Sequence, residues 1–285
     1  MMKNAKKLLT LLLALAVVLS LTACGSSSGN GGDTTPPADG ADADTSADSD
    51  LAYIQGKGTL VVGITDFDPM DYHPAEGSSE WIGFDADMAK AFAEDLGVKV
   101  EFLELANWDA KAMELDTKAI DVVWNGMTIG EEVLATMSVS EPYCRNGQVV
   151  VVPADKAGQY QTVESLSGLN FAAENGSEGS KQLEALNISY TATQNQASAL
   201  MEVASGASDA CVIDLLMAGA MIGEGTSYPN LTYTLQLNDE EYGVGFRMGS
   251  DLVDAFNAFW KSAYEAGTVM EVATTYGVQE SIIEK

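Results

Sequence analysis

The stretch IDVVWNGMTI at residues 120–129 constrains the fold of this chain more than any other. Its first half, residues 120–124, is short, apolar and rich in β-branched side chains, which indicates a buried strand. The strand ends at Asn125-Gly126, a pair that favours a tight turn and leaves amide N–H groups exposed, and Thr128 adds a hydroxyl group. Because open α/β sheets bind ligands at the carboxyl ends of their strands, we expect a binding site here.

The segments around this strand predict a parallel sheet covered by helices. Strand-like runs at 58–63 and 99–103 flank a helix with an i, i+4 apolar stripe that stops at Gly97. The same alternation recurs downstream, with strands at 149–152, 169–173 and 210–213 and helices at about 179–186 and 195–205. Alternating strands and helices predict an α/β fold, here as two similar lobes.

Each predicted lobe contains an aspartate before an apolar strand that ends in a polar residue. Asp121 precedes the apolar residues 122–124, which lead to Asn125, and Asp209 precedes the strand 210–213, which leads to Asp214. Asp121 and Asp209 are interpreted as turn residues rather than ligand contacts, because aspartate is common at such turns.

Composition limits the chemistry that the chain can perform. Its 285 residues include 14 Lys and Arg against 42 Asp and Glu, a net charge of −28 that argues against binding nucleic acid or anionic lipid. The single histidine, His73, nearly excludes a His-based metal site or a Ser-His-Asp triad, so neither a metal nor a cofactor is predicted. Cys144 and Cys211 could form a disulfide or remain buried free thiols.

The first 50 residues predict export and attachment to a membrane. Three lysines precede the apolar run 8–21, and LTAC follows at 21–24, so residues 1–23 are interpreted as a lipoprotein signal peptide. LTAC resembles a lipobox, and Cys24 is predicted to be lipidated; a plain cleaved signal is the alternative. Residues 24–50 contain no apolar side chain larger than alanine apart from the prolines, which predicts a disordered tether. An O-glycosylated stalk is the alternative for this segment.

Five motifs follow one another between residues 51 and 278: GTLVVG at 58–63, GFDADMAK at 83–90, LGVKVEF at 96–102, SEPY at 140–143 and DACVID at 209–214. This ordered set resembles the polar-amino-acid solute-binding proteins of ABC importers (bacterial extracellular solute-binding protein family 3). The resemblance implies a type II periplasmic-binding-protein fold, in which two lobes joined by crossing strands near 140–143 and 243–247 close on a ligand. The implied boundaries are 51–143 and 243–285 for lobe 1 and 144–242 for lobe 2.

The same resemblance implies ligand contacts in lobe 1 by matching position. Phe67 and Trp108 match aromatic residues that contact the ligand side chain. Asn125, Gly126 and Thr128 match the strand edge that hydrogen-bonds the ligand.

Lobe 2 is implied to supply the contacts to the charged groups of the ligand. Gly176 and Ser177 match the turn that receives the α-carboxylate at a helix N-terminus. Asp214 matches the carboxylate that pairs with the α-ammonium group, and Glu174 matches a position that varies with the ligand side chain.

The chain departs from the family at Val133, where the family has an arginine that forks onto the ligand carboxylate. Glu178 also stands where the family often has threonine or glycine, so the expected cleft holds three carboxylates and two aromatic rings, which suits a cation. Alternatively, Glu174 and Glu178 are solvated around a helix start. We therefore predict a preference for cationic or carboxylate-poor ligands, with basic amino acids first and simple amines second. Arg145 is interpreted as an exposed hinge residue, with reach into the cleft as the alternative.

The predicted function is that of a membrane-tethered, extracytoplasmic binding protein of an ABC importer. It would capture an amino acid or a related small amine by hinge closure and dock, as a monomer, onto a permease. An enzyme on the same fold is an alternative, because cyclohexadienyl dehydratases resemble this family. Val133 counts against it, since the arginine that would hold a substrate carboxylate is missing. A sensory ligand-binding domain is the third possibility.

Overall fold

The computed structural model describes residues 49–285. The predicted signal peptide, the lipidation site Cys24 and almost all of the predicted tether lie outside these residues. No helix within 49–285 is long and apolar enough to cross a membrane.

The described part of the chain contains nine α-helices and twelve β-strands. The helices are α1 (Asp50–Lys57), α2 (Phe84–Asp95), α3 (Lys111–Asp116), α4 (Glu131–Thr136), α5 (Glu178–Ala185), α6 (Gln196–Ser205), α7 (Leu215–Met221), α8 (Leu252–Glu265) and α9 (Thr268–Thr275). The strands are β1 (Thr59–Ile64), β2 (Lys99–Glu104), β3 (Val122–Val123), β4 (Ser138–Val139), β5 (Cys144–Asn146), β6 (Gln148–Pro153), β7 (Phe171–Glu174), β8 (Tyr190–Thr193), β9 (Ala210–Asp214), β10 (Leu231–Gln236), β11 (Glu240–Tyr242) and β12 (Gly245–Phe246).

Two five-stranded sheets with the same topology organise the fold. The first has the order β2-β1-β3-β12-β4 and belongs to lobe 1; the second, in lobe 2, has the order β8-β7-β9-β6-β10. In each sheet the first three strands are parallel and the fourth is antiparallel to the third. This shared order confirms the predicted α/β class and the two similar lobes.

A two-stranded ribbon connects the lobes. β5 pairs antiparallel with β11, and these strands belong to neither five-stranded sheet. The second crossing lies earlier than the predicted 243–247, because Gly245 and Phe246 are already hydrogen-bonded to β3 and β4 in the first sheet. The ribbon is therefore the segment about which the lobes can rotate.

A cluster of aromatic rings behind β3 supports the strand that carries the predicted site. The ring of Trp124 lies 4.9 Å from that of Phe256 and 6.4 Å from that of Phe92, and Phe256 stacks on Trp260 at 5.7 Å. Such pairs contribute roughly 0.5–1.5 kcal/mol each beyond the burial of apolar area. The short strand β3 is thus held by side-chain packing against α8 as well as by its backbone hydrogen bonds.

The folded domain begins slightly earlier than its sequence indicates. Ser49 caps α1 by accepting a hydrogen bond from the amide of Ala52 at 3.0 Å, and Asp50 is the first helical residue. The tether was predicted to include Asp50, but its carboxylate is buried against Arg247. That partner lies 197 positions away, so the local composition of the tether does not reveal it.

Candidate functional site

A cleft of about 470 Å³, its mouth included, separates the two lobes. Lobe 1 contributes Trp108, Asn125, Gly126 and Thr128 to its walls. Lobe 2 contributes Glu174, Gly176, Ser177 and Asp214. The structure therefore brings eight of the nine predicted contact residues together at one cavity, with Phe67 as the exception.

Phe67 lies behind the wall of the cleft. Its side chain is 2% exposed and packs edge-on against Tyr242, with ring centroids 6.4 Å apart. A Cβ atom on Gly126 would lie 2.5 Å from the Phe67 ring, so the glycine makes room for it. In this arrangement Phe67 supports the turn at Gly126 and does not line the cleft, so its contact with a ligand stays a prediction.

The side chain of Asn125 is fully used inside lobe 1. Its oxygen accepts hydrogen bonds from the amide and hydroxyl of Thr65 at 3.0 and 2.8 Å. Its amide donates to the Thr65 carbonyl at 2.9 Å and to Asp71 at 2.7 Å. The backbone amide of Gly126 donates to Asp85 at 2.7 Å, so it is not the exposed donor that the sequence predicts. Burial raises the pKa of Asp85 to about 7.

Thr128 offers the donors at this edge instead. Thr128 lies opposite Tyr242 in an antiparallel bridge, but the neighbouring residues make its hydrogen bonds. The backbone amide of Gly243 donates to the carbonyl of Met127, and that of Ile129 donates to the carbonyl of Glu241, both at 2.9 Å. Within residues 49–285, the amide and hydroxyl of Thr128 have no partner. Two unpaired donors therefore line the cleft.

In lobe 2, the turn after β7 opens α5 towards the cleft. Gly176 adopts a φ of 71°, and the hydroxyl of Ser177 accepts a hydrogen bond from the amide of Ser180 at 3.1 Å. The amides of the first two helical residues have no acceptor within the helix, which favours an anion at this end. Glu178 lines the cleft and accepts a hydrogen bond from Gln182, one turn further along α5, at 2.7 Å.

Two buried carboxylates lie at the ends of neighbouring strands in lobe 2. Glu174 ends β7, is 3% exposed, and has one carboxylate oxygen without a hydrogen-bond partner in the described chain. Burial raises its pKa to about 8. Asp214 ends β9, and burial together with the nearby Glu240 raises its pKa well above the usual value. Glu174 is therefore not the solvated helix-start residue that the alternative proposed.

Four side chains hold Asp214 in place. Its carboxylate accepts hydrogen bonds from Gln148 at 3.1 Å and from the Tyr242 hydroxyl at 2.6 Å, and also from Asn146 and Gln196. Its side chain makes no capping bond to α7, although it precedes that helix. The network leaves Asp214 fixed at the edge of the cleft.

Lys111, the first residue of α3, also lies at the cleft and was not among the predicted residues. Its side chain is 7% exposed, lines the cleft, and places its ammonium group 4.8 Å from the centre of the Trp108 ring. Burial lowers its pKa to about 8. In a sequence, a lysine at the start of a helix is usually interpreted as solvent-exposed. The only sign of burial here is Trp108, three residues earlier in the sequence. The cleft thus contains the buried cation Lys111 and, paired with Glu132, Lys181, as well as the carboxylates that were expected.

The lobes contact one another at the mouth of the cleft. Lys181 of lobe 2 forms an ion pair with Glu132 of lobe 1 at 2.6 Å. The side chain of Asn175 donates to that of Asn107 at 3.2 Å. These contacts between lobes show a closed arrangement.

The remaining candidates lie away from the cleft. Arg145 is exposed on the ribbon, in agreement with its interpretation as a hinge residue. Cys144 and Cys211 are buried free thiols, which excludes the disulfide alternative, and burial raises the pKa of each thiol. Among the described residues, no group of His, Cys, Asp and Glu side chains is arranged to hold a metal ion.

The two aspartates that precede strands also stay outside the cleft. Asp209 accepts hydrogen bonds from the amide and side chain of Asn170 at 3.0 and 3.1 Å. Asp121 is completely buried, where it pairs with Lys57 at 2.5 Å and accepts from the amide of Val61 at 2.8 Å. Both therefore stabilise the fold, as their interpretation as turn residues implied.

Comparison with known proteins places this geometry in a family. A model of the bacterial extracellular solute-binding proteins, family 3, matches residues 60–279. The arginine-binding extracellular protein of Bacillus subtilis (strain 168) is 27% identical over 269 residues, which cover 92% of this chain and 94% of that protein. The ABC transporter glutamine-binding protein of the same strain is 30% identical over 275 residues, 94% of this chain and 96% of that protein.

A solved structure has the same fold. An ancestral amino acid-binding protein, a precursor of cyclohexadienyl dehydratase, is 30% identical and superimposes with a TM-score of 0.72. The superposition covers 80% of this chain and 99% of the other. The predicted two-lobed binding-protein fold is thereby confirmed.

Proposed function

Because the chain belongs to the bacterial extracellular solute-binding proteins, family 3, we propose that its cleft captures one amino acid with a basic side chain. The observation that carries this proposal is the pair of buried carboxylates, Glu174 and Asp214, at the strand ends of lobe 2. A buried carboxylate is costly without a cation beside it, and a basic amino acid brings two. The arginine-binding relative agrees with this class of ligand.

Each carboxylate has a distinct role in this proposal. Asp214 is held by four donors in a fixed orientation and receives the α-ammonium group. Glu174 has a free oxygen and receives the cationic end of the side chain, with Trp108 available for cation–π contact. The preference for ligands without a carboxylate, predicted from Val133, is not part of the proposal because Lys111 brings a cation into the cleft.

The cellular role completes the proposal. The protein is lipid-anchored through Cys24 on the extracytoplasmic face of the cell membrane, acts as a monomer and delivers its ligand to an ABC permease. The support is the signal-like start of the chain and the family itself. The enzyme alternative retains some support, since one relative of known structure is a precursor of cyclohexadienyl dehydratase.

A binding screen tests the proposed function. We expect arginine and lysine to raise the melting temperature most, neutral amino acids less, and glutamate and aspartate least. At a ligand concentration one hundred times Kd, the stabilisation should reach about 2.7 kcal/mol. Small-angle scattering should show a more compact molecule with the best ligand, because the lobes close about the ribbon. Tight selective binding of an acidic amino acid, or turnover of prephenate or arogenate, would refute the proposal.

Closure of the two lobes also leads to a prediction about Gly176. A Cβ atom on Gly176 would lie 2.7 Å from Cβ and 2.9 Å from Cα of Asp109 in the opposite lobe. We expect Gly176→Ala to keep the lobes apart and weaken ligand binding by about tenfold or more, which is about 1.4 kcal/mol. Calorimetry gives the affinity, and scattering with ligand should show a larger molecule than the wild type.

Gly206→Ala is the matched control for this variant. Gly206 has a φ of 76°, close to the 71° of Gly176, and no atom would lie within 4 Å of a Cβ there. Both variants should lose roughly 1–2 kcal/mol of stability from the left-handed backbone. Only Gly176→Ala should lose affinity; an equal loss in both variants would mean that the backbone cost, not blocked closure, is responsible.

A further inference from the structure

The side chain of Lys111 is a buried cation without an ion pair. It is 7% exposed, and its ammonium group makes one hydrogen bond, to the Trp108 carbonyl at 3.3 Å, although it carries three donors. Within residues 49–285, no carboxylate oxygen lies within ion-pair distance of it, whereas the neighbouring Lys181 is paired with Glu132. Burying an unpaired charge is unfavourable, so a partner from outside the chain is expected.

The position of Lys111 identifies the chemistry of that partner. Lys111 and Val133 both line the lobe 1 wall of the cleft, where Thr128 also presents its unpaired amide and hydroxyl. An anion at this wall would meet one ammonium group and two neutral donors. The first turn of α5 adds amides without acceptors from the other side.

The opposite wall carries two buried carboxylates, and its one lysine, Lys181, is paired with Glu132. Glu174 and Asp214 of lobe 2 line the same cavity, and both are at least nine-tenths buried. A zwitterion lying across the cleft would place its anionic end at Lys111 and its cationic end at the two carboxylates. Closure of the lobes would then bring both charges of the ligand against opposite charges at once.

We propose that Lys111 holds the ligand carboxylate, and so replaces the arginine that is missing at Val133. This inference rests on the proposed function, because it assigns one end of the same ligand. If Lys111 has this role, tight binding requires a ligand with a free carboxylate. This is the opposite of the preference for carboxylate-poor ligands that Val133 alone suggests. The competing explanation is that Lys111 serves only as a distant countercharge for Glu174, Asp109 and Glu132.

The test compares an amino acid with its decarboxylated amine. For the wild type and for Lys111→Met, calorimetry measures the affinities of arginine and agmatine. We expect the wild type to bind arginine at least about 30-fold more tightly, the lower end of the cost of truncating a buried charge pair. In Lys111→Met this ratio should fall close to one, with arginine losing most of the affinity.

Two further variants give the test its controls. Lys118→Met removes an exposed lysine that also lies over an aromatic ring, 4.4 Å from the centre of Tyr53 and outside the cleft; it should keep the wild-type ratio. Adding Val133→Arg to Lys111→Met should restore at least part of the preference for arginine, because a cation returns to the same wall. Lys111→Gln provides a polar, uncharged substitute if the methionine variant does not fold.

The possible outcomes separate the inference from the proposed function. If the wild type binds no amino acid, the proposed function fails. If the wild type binds arginine but either Lys111 variant keeps its preference over agmatine, the function stands and the role of Lys111 is refuted. Equal binding of arginine and agmatine by the wild type would likewise refute that role.

Discussion

Replacing Arg247 with methionine should lower the free energy of unfolding by about 3–5 kcal/mol, the range for removing one partner of a buried ion pair. Arg247 is 8% exposed, and its Nε donates to both carboxylate oxygens of Asp50 at 2.9 and 3.0 Å. Its other nitrogens donate to the Ile120 carbonyl at 2.9 Å and lie 3.5 Å from Asp121. The substitution would leave the carboxylate of Asp50 buried without a cation. It would also remove the donor to the carbonyl of Ile120.

The measurement is urea unfolding of Arg247→Met beside Arg145→Met. These are the only two arginines in the sequence, and Arg145 is exposed on the ribbon, so its replacement should change stability by less than about 0.5 kcal/mol. A similar small change in both variants would show that the buried ion pair contributes little. A large loss of unfolding free energy in Arg247→Met alone would show that the Arg247–Asp50 ion pair holds α1 to the end of β12.

The fold could be predicted because its signals are local. Apolar β-branched runs, i, i+4 stripes and glycine stops mark β1, α2 and β2 within a few residues of their observed bounds. The repeated pattern of aspartate, apolar strand and polar end residue also identified β3 and β9 as equivalent strands, and they occupy the same place in the two sheets. Periodicity and turn chemistry therefore suffice for the architecture.

The direction of polar side chains could not be predicted in the same way. Asn125 and Gly126 stand at the correct strand end, but the side-chain amide of Asn125 and the backbone amide of Gly126 already donate to Thr65, Asp71 and Asp85, which come from earlier loops and a helix. A sequence shows that a donor exists at a turn; it does not show which distant acceptor reaches that donor first.

Lys111 shows the corresponding limit for charges. Lysine at the start of a helix is usually exposed, and its burial here depends on Trp108 on one side and the second lobe on the other. Both conditions depend on tertiary structure, which the local sequence around Lys111 does not show. The loss of an arginine at Val133 was visible in the sequence, whereas the cation that lies on the same wall was not.

Changing Asp214 to asparagine should weaken ligand binding by about 2–5 kcal/mol, the cost of truncating one partner of a buried, hydrogen-bonded charge pair. The carboxylate ends β9 at the cleft, is 4% exposed and is oriented by four donors, so the ammonium group of a ligand would meet a fixed charge. Loss of a helix cap cannot account for the effect, because the Asp214 side chain makes no capping bond to α7.

Asp209→Asn makes the same chemical change beside the opposite end of β9 and serves as its control. Asp209 bonds to Asn170 and does not line the cleft, so its amide variant should bind ligand within about twofold of the wild type, a difference of less than about 0.5 kcal/mol. Calorimetry with the best ligand of the screen measures both variants, and unfolding curves without ligand measure their stability. The unfolding free energy of Asp214→Asn should change less than its binding free energy, because burial already disfavours the charged carboxylate, as its raised pKa indicates. If Asp214→Asn binds as tightly as Asp209→Asn, the α-ammonium group is held elsewhere, and Glu174 and Glu178 are the other carboxylates that line the cleft.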